Sequence, residues 1–244
     1  MKNKTAYVIG EDPLWSNINL MGMNRAVTAF SRDLLHEIAT SEKKQMTLES
    51  VNGDVILQEL DLGNVAGILT PLSISPLNRD KYVFSENFLP LGVVLITPSS
   101  TKHVKGWNEF AKKIIGIPSQ VPNGLDLGKL QAMQFKPYDN ILTALSDLDA
   151  GYIDGAIFPL FQASVYTKSF YEGRLKVATT PLTPEGLKLV ARNDPKGRKL
   201  IEIFNDGLNK LKKNGQYDFL LEDWGLINID KIDDHSQSNL QDIK

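Results

Sequence analysis

After four polar residues the chain opens on a loosely alternating stretch, TAYVIG at 5–10, rich in strand formers and closed by Gly10 before the turn-forming Glu11, Asp12 and Pro13. From 26 to 39 the apolar residues Ala26, Ala29, Phe30, Leu34, Leu35 and Ile38 recur at spacings near three and four, the period of an amphipathic helix. Residues 46–51 then read as a strand, 55–62 as a short helix and 65–72 as a buried strand between glycine and proline. This βαβα order predicts an α/β domain built on a mainly parallel sheet.

A strongly apolar run, GVVLIT at 92–97, ends at Pro98, and the pattern then begins again. Residues 107–113 read as a helix, 114–117 as a strand, 125–133 as a helix opened by Asn123 and Gly124, and 134–137 as a short strand. A helix at 141–150 stops at Gly151, and a strand at 156–158 stops at Pro159. This is a second, smaller α/β unit. Residues 187–191 form another strand, 196–214 a long helix ending at Gly215, and 217–224 a last helix. From about 226 the chain turns polar and loses its period, which predicts a frayed or disordered tail. No internal sequence repeat is evident.

Composition narrows the function classes more than it names one. Apolar residues make up 42% and charged residues 23% of the 244, ordinary values for a globular protein. The formal net charge of -2, with only scattered lysine pairs, gives no electrostatic reason to expect nucleic acid or an anionic membrane as partner. With no cysteine there are no disulfides and no thiolate metal sites. His36 and His103 have no His or acid partners at metal-ligand spacing and His235 lies in the tail, and neither a metal nor another cofactor is expected. The polar residues 1–4 lead straight into a strand, so the sequence is expected to lack a signal peptide and a membrane span. An exported protein would then appear here in mature form with a supplied Met.

Several segments, taken in order, resemble the bacterial extracellular solute-binding proteins of family 3, which serve ABC transporters of polar amino acids such as glutamine, histidine and arginine. Ala29, Phe30, Asp33 and Leu34 stand for the family's Gly-Phe-x-x-Asp-Leu. Ser73, Ser75 and Arg79 stand for its Thr-x-Thr-x-x-Arg, with one extra residue before the arginine. Phe84, Ser85, Glu86 and Phe88 follow Phe-Ser-Asp-x-Tyr, and residues 150–156 follow Gly-x-x-Asp-Ala with Asp154 at the acid. Lys213, Asn214, Gly215 and Trp224 close the match, which spans most of 5–225. The resemblance implies a type II periplasmic-binding-protein fold, two lobes each with a mainly parallel sheet flanked by helices, joined by two hinge strands. Lobe one would take 1–90 and 187–244, lobe two 97–183, and the hinges 91–96 and 184–186. It further implies a monomer in the periplasm or anchored as a lipoprotein, an ABC transporter permease as partner, and hinge closure on one small molecule.

In that family an arginine grips the ligand carboxylate, and Arg79 occupies its place. A planar, bidentate donor suits that task, although an ordinary surface arginine has the same sequence. Ser73 stands where a threonine meets the same carboxylate, or is a turn serine near Pro71. Asp12 and Trp15 fall where the family has an acid and a stacking aromatic, and Trp15 either stacks or plugs the core. Ser119 and Gln120 precede the expected helix at 125, where backbone amides would attract an anion. Leu72 and Phe158 complete the expected ligand-binding set. Asp154 is structural in the family.

The departures concern the other end of the ligand. The family aspartate that neutralises an ammonium corresponds to Pro159, which has neither charge nor amide donor. A lobe-one aromatic corresponds to Gly53. Either another acid, among Asp12, Glu11 and Glu185, takes the ammonium, or the ligand lacks one. A sensor for such a ligand and an enzyme resembling cyclohexadienyl dehydratase are the rival functions. No Ser-His-Asp set or phosphate loop supports catalysis.

Overall fold

The computed structural model describes residues 6–11 and 27–232 apart from 103, 105 and 123. The chain divides into two compact units, Met1–Leu89 with Gly186–Trp224, and Pro90–Glu185 with Gly225–Lys244. In unit one the elements are β1 (Ala6–Glu11), α1 (Val27–Ser41), β2 (Gln45–Ser50), α2 (Ile56–Leu62), β3 (Gly67–Thr70) and β4 (Tyr82–Phe84), and the two-residue β5 (Leu89–Pro90) carries the chain across the boundary. Unit two holds β6 (Val93–Pro98), β7 (Ile114–Pro118), β8 (Gln134–Tyr138), α3 (Ile141–Asp149), β9 (Gly155–Pro159), α4 (Leu160–Ser169) and β10 (Leu175–Val177). The chain then returns through β11 (Gly186–Arg192), α5 (Pro195–Lys213) and α6 (Gln216–Asp223).

Unit one's sheet runs β2-β1-β3-β11-β4. The pairs of β1 with β2 and β3 are parallel, those of β11 with β3 and β4 antiparallel. Unit two's sheet runs β10-β6-β9-β7-β8, parallel where β7 meets β8 and β9, antiparallel where β6 meets β9 and β10. Both sheets are therefore mixed, correcting the expected mainly parallel ones. In each, the strand next to the crossing between units, β11 or β6, runs against its neighbours.

Helix α1 forms because Phe30, Leu34, Leu35 and Ile38 fall on one buried face while Arg32, Asp33 and His36 stay exposed. Helix α5 is specified at both ends. The Asp194 side chain accepts from the Gly197 amide, Pro195 takes the first turn, and Lys210, Lys212 and Lys213 sit at the negative end of the dipole. Its buried Phe204 meets Phe88 edge to face, with ring centroids 5.8 Å apart.

Two expected helices are shorter. Residues 107–110 and 127–130 form single 3-10 turns, Trp107–Phe110 and Leu127–Leu130. Asp126 caps the second by accepting from Gly128 N. Conversely α4 and β10 were not expected.

The chain passes between units after Leu89, after Glu185 and after Trp224. Within the expected hinge at 91–96, Val93, Val94, Leu95 and Ile96 are buried strand residues of unit two. The stretch from 226, expected as a polar tail of lobe one, belongs with unit two in its described part. Leu226 is buried, its carbonyl accepts from Lys168 Nζ at 2.6 Å, and Ile229 packs on the α3–α4 core.

Candidate functional site

In each unit the carboxyl ends of the parallel strands are the edge where open α/β sheets hold ligands. In unit one that edge carries Glu11 at the end of β1 and, beyond β3, the loop 71–81. Asn78 fixes this loop with one side chain. Its Oδ1 accepts from Ser75 N at 2.8 Å and its Nδ2 donates to Ser73 O at 2.9 Å. Arg79 N donates to Ser75 O at 3.0 Å, and Tyr82 N to Asn78 O at 3.0 Å, which joins the loop to β4. Leu72 N donates to Thr70 Oγ1 at 3.2 Å. Sequence reasoning missed Asn78, because its side chain bonds backwards to residues three and five positions earlier, unlike an Asx turn, which bonds forwards.

On this frame the Arg79 side chain stands out, 64% exposed, with an ion pair to Asp80 only at 3.9 Å from Nε, and Asp80 is itself 92% exposed. Such a contact is weak. Ser73 is exposed and Leu72 half-buried. Arg192, also in unit one, makes the contrast. It borders a cavity of about 260 Å³ at the opposite edge, where β1 begins. Its guanidinium is committed, with Nε to Asp194 at 3.1 Å and Nη1 to Leu60 O at 2.9 Å.

In unit two, β7 and β8 end side by side, Pro118 opposite Tyr138. The Ser119 hydroxyl donates to Asp139 Oδ1 at 2.7 Å and its amide to Tyr138 O at 2.9 Å. Gln120 is exposed. The helix start expected beyond it is absent from the described residues at 125, so the amides of a full helix do not follow this loop. Phe158 is 3% exposed and packs in the core with Ile141, Leu145 and Tyr166. Pro159 precedes the first turn of α4.

The remaining expectations fall as follows. Asp12 and Trp15 lie outside the described residues, as do His103 and His235. Glu11 is buried and already engaged in an interaction. Gly53 lies in the turn after β2. Asp154 serves the strands: its Oδ2 accepts from Ile114 N at 2.9 Å and its Oδ1 from Lys113 Nζ at 2.8 Å. Burial alone would raise this carboxyl, but Lys113 and the Ile114 amide outweigh it and hold the group below the ordinary aspartate range. Among the described residues no group of three or more His, Cys, Asp or Glu could hold a metal ion. No described helix is long and apolar enough to cross a membrane.

Known proteins resemble this chain over nearly its whole length. It is 23% identical over 221 residues to the arginine-binding periplasmic protein of Mannheimia haemolytica, covering 89% of this chain and 90% of that one. It is 21% identical over 233 residues to the L-cystine-binding protein TcyJ of Escherichia coli (strain K12), covering 92% and 84%. In fold it is similar to the L-cystine solute receptor of Neisseria gonorrhoeae in its unliganded open conformation, with a TM-score of 0.72 at 15% identity, covering 91% and 93%. A polar amino acid ABC uptake transporter substrate binding protein from Streptococcus thermophilus gives 0.70 at 22%, covering 90% and 85%. The fold is that of the type II two-lobed solute-binding proteins. The match to the family description itself spans residues 7–227, and the chain belongs to the bacterial extracellular solute-binding proteins, family 3.

Proposed function

We propose that the protein is the substrate-binding component of an ABC importer and captures a small polar solute with a carboxylate, an amino acid, by hinge closure. Arg79 is the observation that carries this reading. A guanidinium held on a rigid loop at the carboxyl edge of the sheet, with no strong ion pair among the described residues, is ready for a bidentate anion. Arg192 shows what a committed arginine looks like in the same unit. The ligand-binding set is Arg79, Ser73 and Leu72 with Asp12 and Trp15 from the first part of the chain, and Ser119 and Gln120 from unit two. Phe158 acts from behind, as packing under the strand end. The relatives named for binding arginine and L-cystine support an amino acid as the class. The protein works as a monomer, in the periplasm or as a lipoprotein, and delivers to a membrane permease.

Isothermal titration calorimetry with the common amino acids tests this. Arg79→Ala is expected to lower the affinity for the bound amino acid on the order of 100-fold, the loss of a doubly bonded charge partner. Because the side chain is exposed, stability should move by no more than about 0.5 kcal/mol. Unchanged affinity in a folded Arg79→Ala protein would remove the anion clamp from the account.

A further inference from the structure

We propose that Glu185 is the carboxylate that receives the cationic group of the solute, an ammonium or guanidinium, in place of the acid lost at Pro159. This rests on the solute-binding reading above and assigns the second half of its site.

Glu185 is the last residue of unit two before the chain crosses. Its backbone is tightly held, because its carbonyl accepts from Leu91 N at 2.9 Å and from Gly92 N at 3.1 Å. Gly92 leads directly to the vacated position. Its carbonyl accepts from Leu160 N at 2.9 Å, and the next residue, Val93, lies opposite Pro159 in the sheet. Two backbone hydrogen bonds therefore link the strand end that lost an acid to a residue that brings one. Gly92 also permits the close passage of Thr183, two residues before Glu185, since a Cβ there would stand 2.1 Å from Thr183 O.

The carboxylate points toward the loop that carries Ser119 and Gln120. A Cβ built on Gly124 in that loop would lie 3.5 Å from Glu185 Oε1. The other oxygen, Oε2, is buried and has no hydrogen-bond partner. A carboxylate oxygen removed from water without a donor is costly, and such a group calls for an explanation, a bound cation being one. An incoming cation supplies the missing donors. Among the described acids at the carboxyl edges, Asp139 already holds Ser119 and Glu11 is engaged, so neither offers the same opening.

The test is calorimetry on the full chain with four probes: L-glutamine, L-arginine, L-cystine, and glutarate as a carboxylate without a cation. Wild type is expected to bind at least one of the amino acids more tightly than glutarate. Glu185→Gln should lower that amino acid's affinity by about 10- to 100-fold and leave glutarate unchanged, with Glu185→Asp losing less. The melting temperature of unliganded Glu185→Gln should equal or exceed that of wild type, because the orphaned charge is gone. Equal affinity of Glu185→Gln and wild type for the amino acid overturns the assignment, as does glutarate binding wild type as tightly as the amino acids. If Arg79→Ala loses binding and Glu185→Gln does not, only this assignment falls. If wild type binds none of the four and none of the other common amino acids, both readings fall together.

Discussion

Unit one and unit two place their strands in the same order, β2-β1-β3-β11-β4 against β8-β7-β9-β6-β10, yet they cover the first parallel crossover differently. Between β1 and β2 lies α1, fifteen residues of regular helix. Between β7 and β8 the described residues make only the 3-10 turn Leu127–Leu130. Apolar spacing explains the difference. In α1 the buried residues Phe30, Leu34, Leu35 and Ile38 follow a 3.6-residue period, while Leu125, Leu127, Leu130 and Met133 are separated by two or three. Both sets bury one face on their sheet. A parallel pair thus needs its face covered, and a full helix is one of several ways to do it.

The comparison breaks if the short crossover contributes little. Leu34→Ala in α1 and Leu130→Ala in the 3-10 turn, both almost fully buried, should each cost about 2–5 kcal/mol in denaturant unfolding. A loss below about 0.5 kcal/mol at Leu130 alone would show that unit two's cover is dispensable. The next effect sharpens the contrast at the crossings. Gly92→Ala must push its Cβ away from Thr183 O and should cost about 1–3 kcal/mol, whereas Gly106→Ala, with nothing within 4 Å of the new carbon, should be close to neutral. The smallest effect lies at the base of β7, where unit two uses a charge with no counterpart described in unit one. Asp154→Asn should lose about 1 kcal/mol at neutral pH, a modest value because the pair with Lys113 is partly exposed. Since the folded carboxyl is held below its ordinary value, this contribution is full above about pH 4 and fades as acid protonates the group. Wild type and Asp154→Asn curves that stay parallel down to pH 2 would refute the role given to this carboxylate.

Much of the fold was legible wherever period and punctuation agree. Helices α1, α3 and α5 and most strands lie within a residue or two of their expected bounds, because an amphipathic face coincides with caps such as Asn140, Asp194 and Gly215. Helix α4 was illegible because Leu160, Phe161, Ala163, Val165 and Tyr166 are buried around its whole circumference. Even its Ser164 and Thr167 turn inward and donate to Leu160 O and Ala163 O. Strand direction leaves no trace in a two-residue period, so the antiparallel course of β6 and β11 could not be read. The site divides in the same way. The proposed role of Arg79 comes from its motif, while Asn78 and the orphaned oxygen of Glu185 depend on distances that no spacing in the sequence reports.

The loop that presents Arg79 separates shape from surface. Its conformation is carried by Asn78, while Ile74 and Leu77 point outward at 60% and 91% exposure. Drift under selection for a new solute could therefore rewrite the outward residues one at a time without a stability penalty, provided the asparagine is kept. A lineage built on such a loop can change what it collects faster than it changes how it folds.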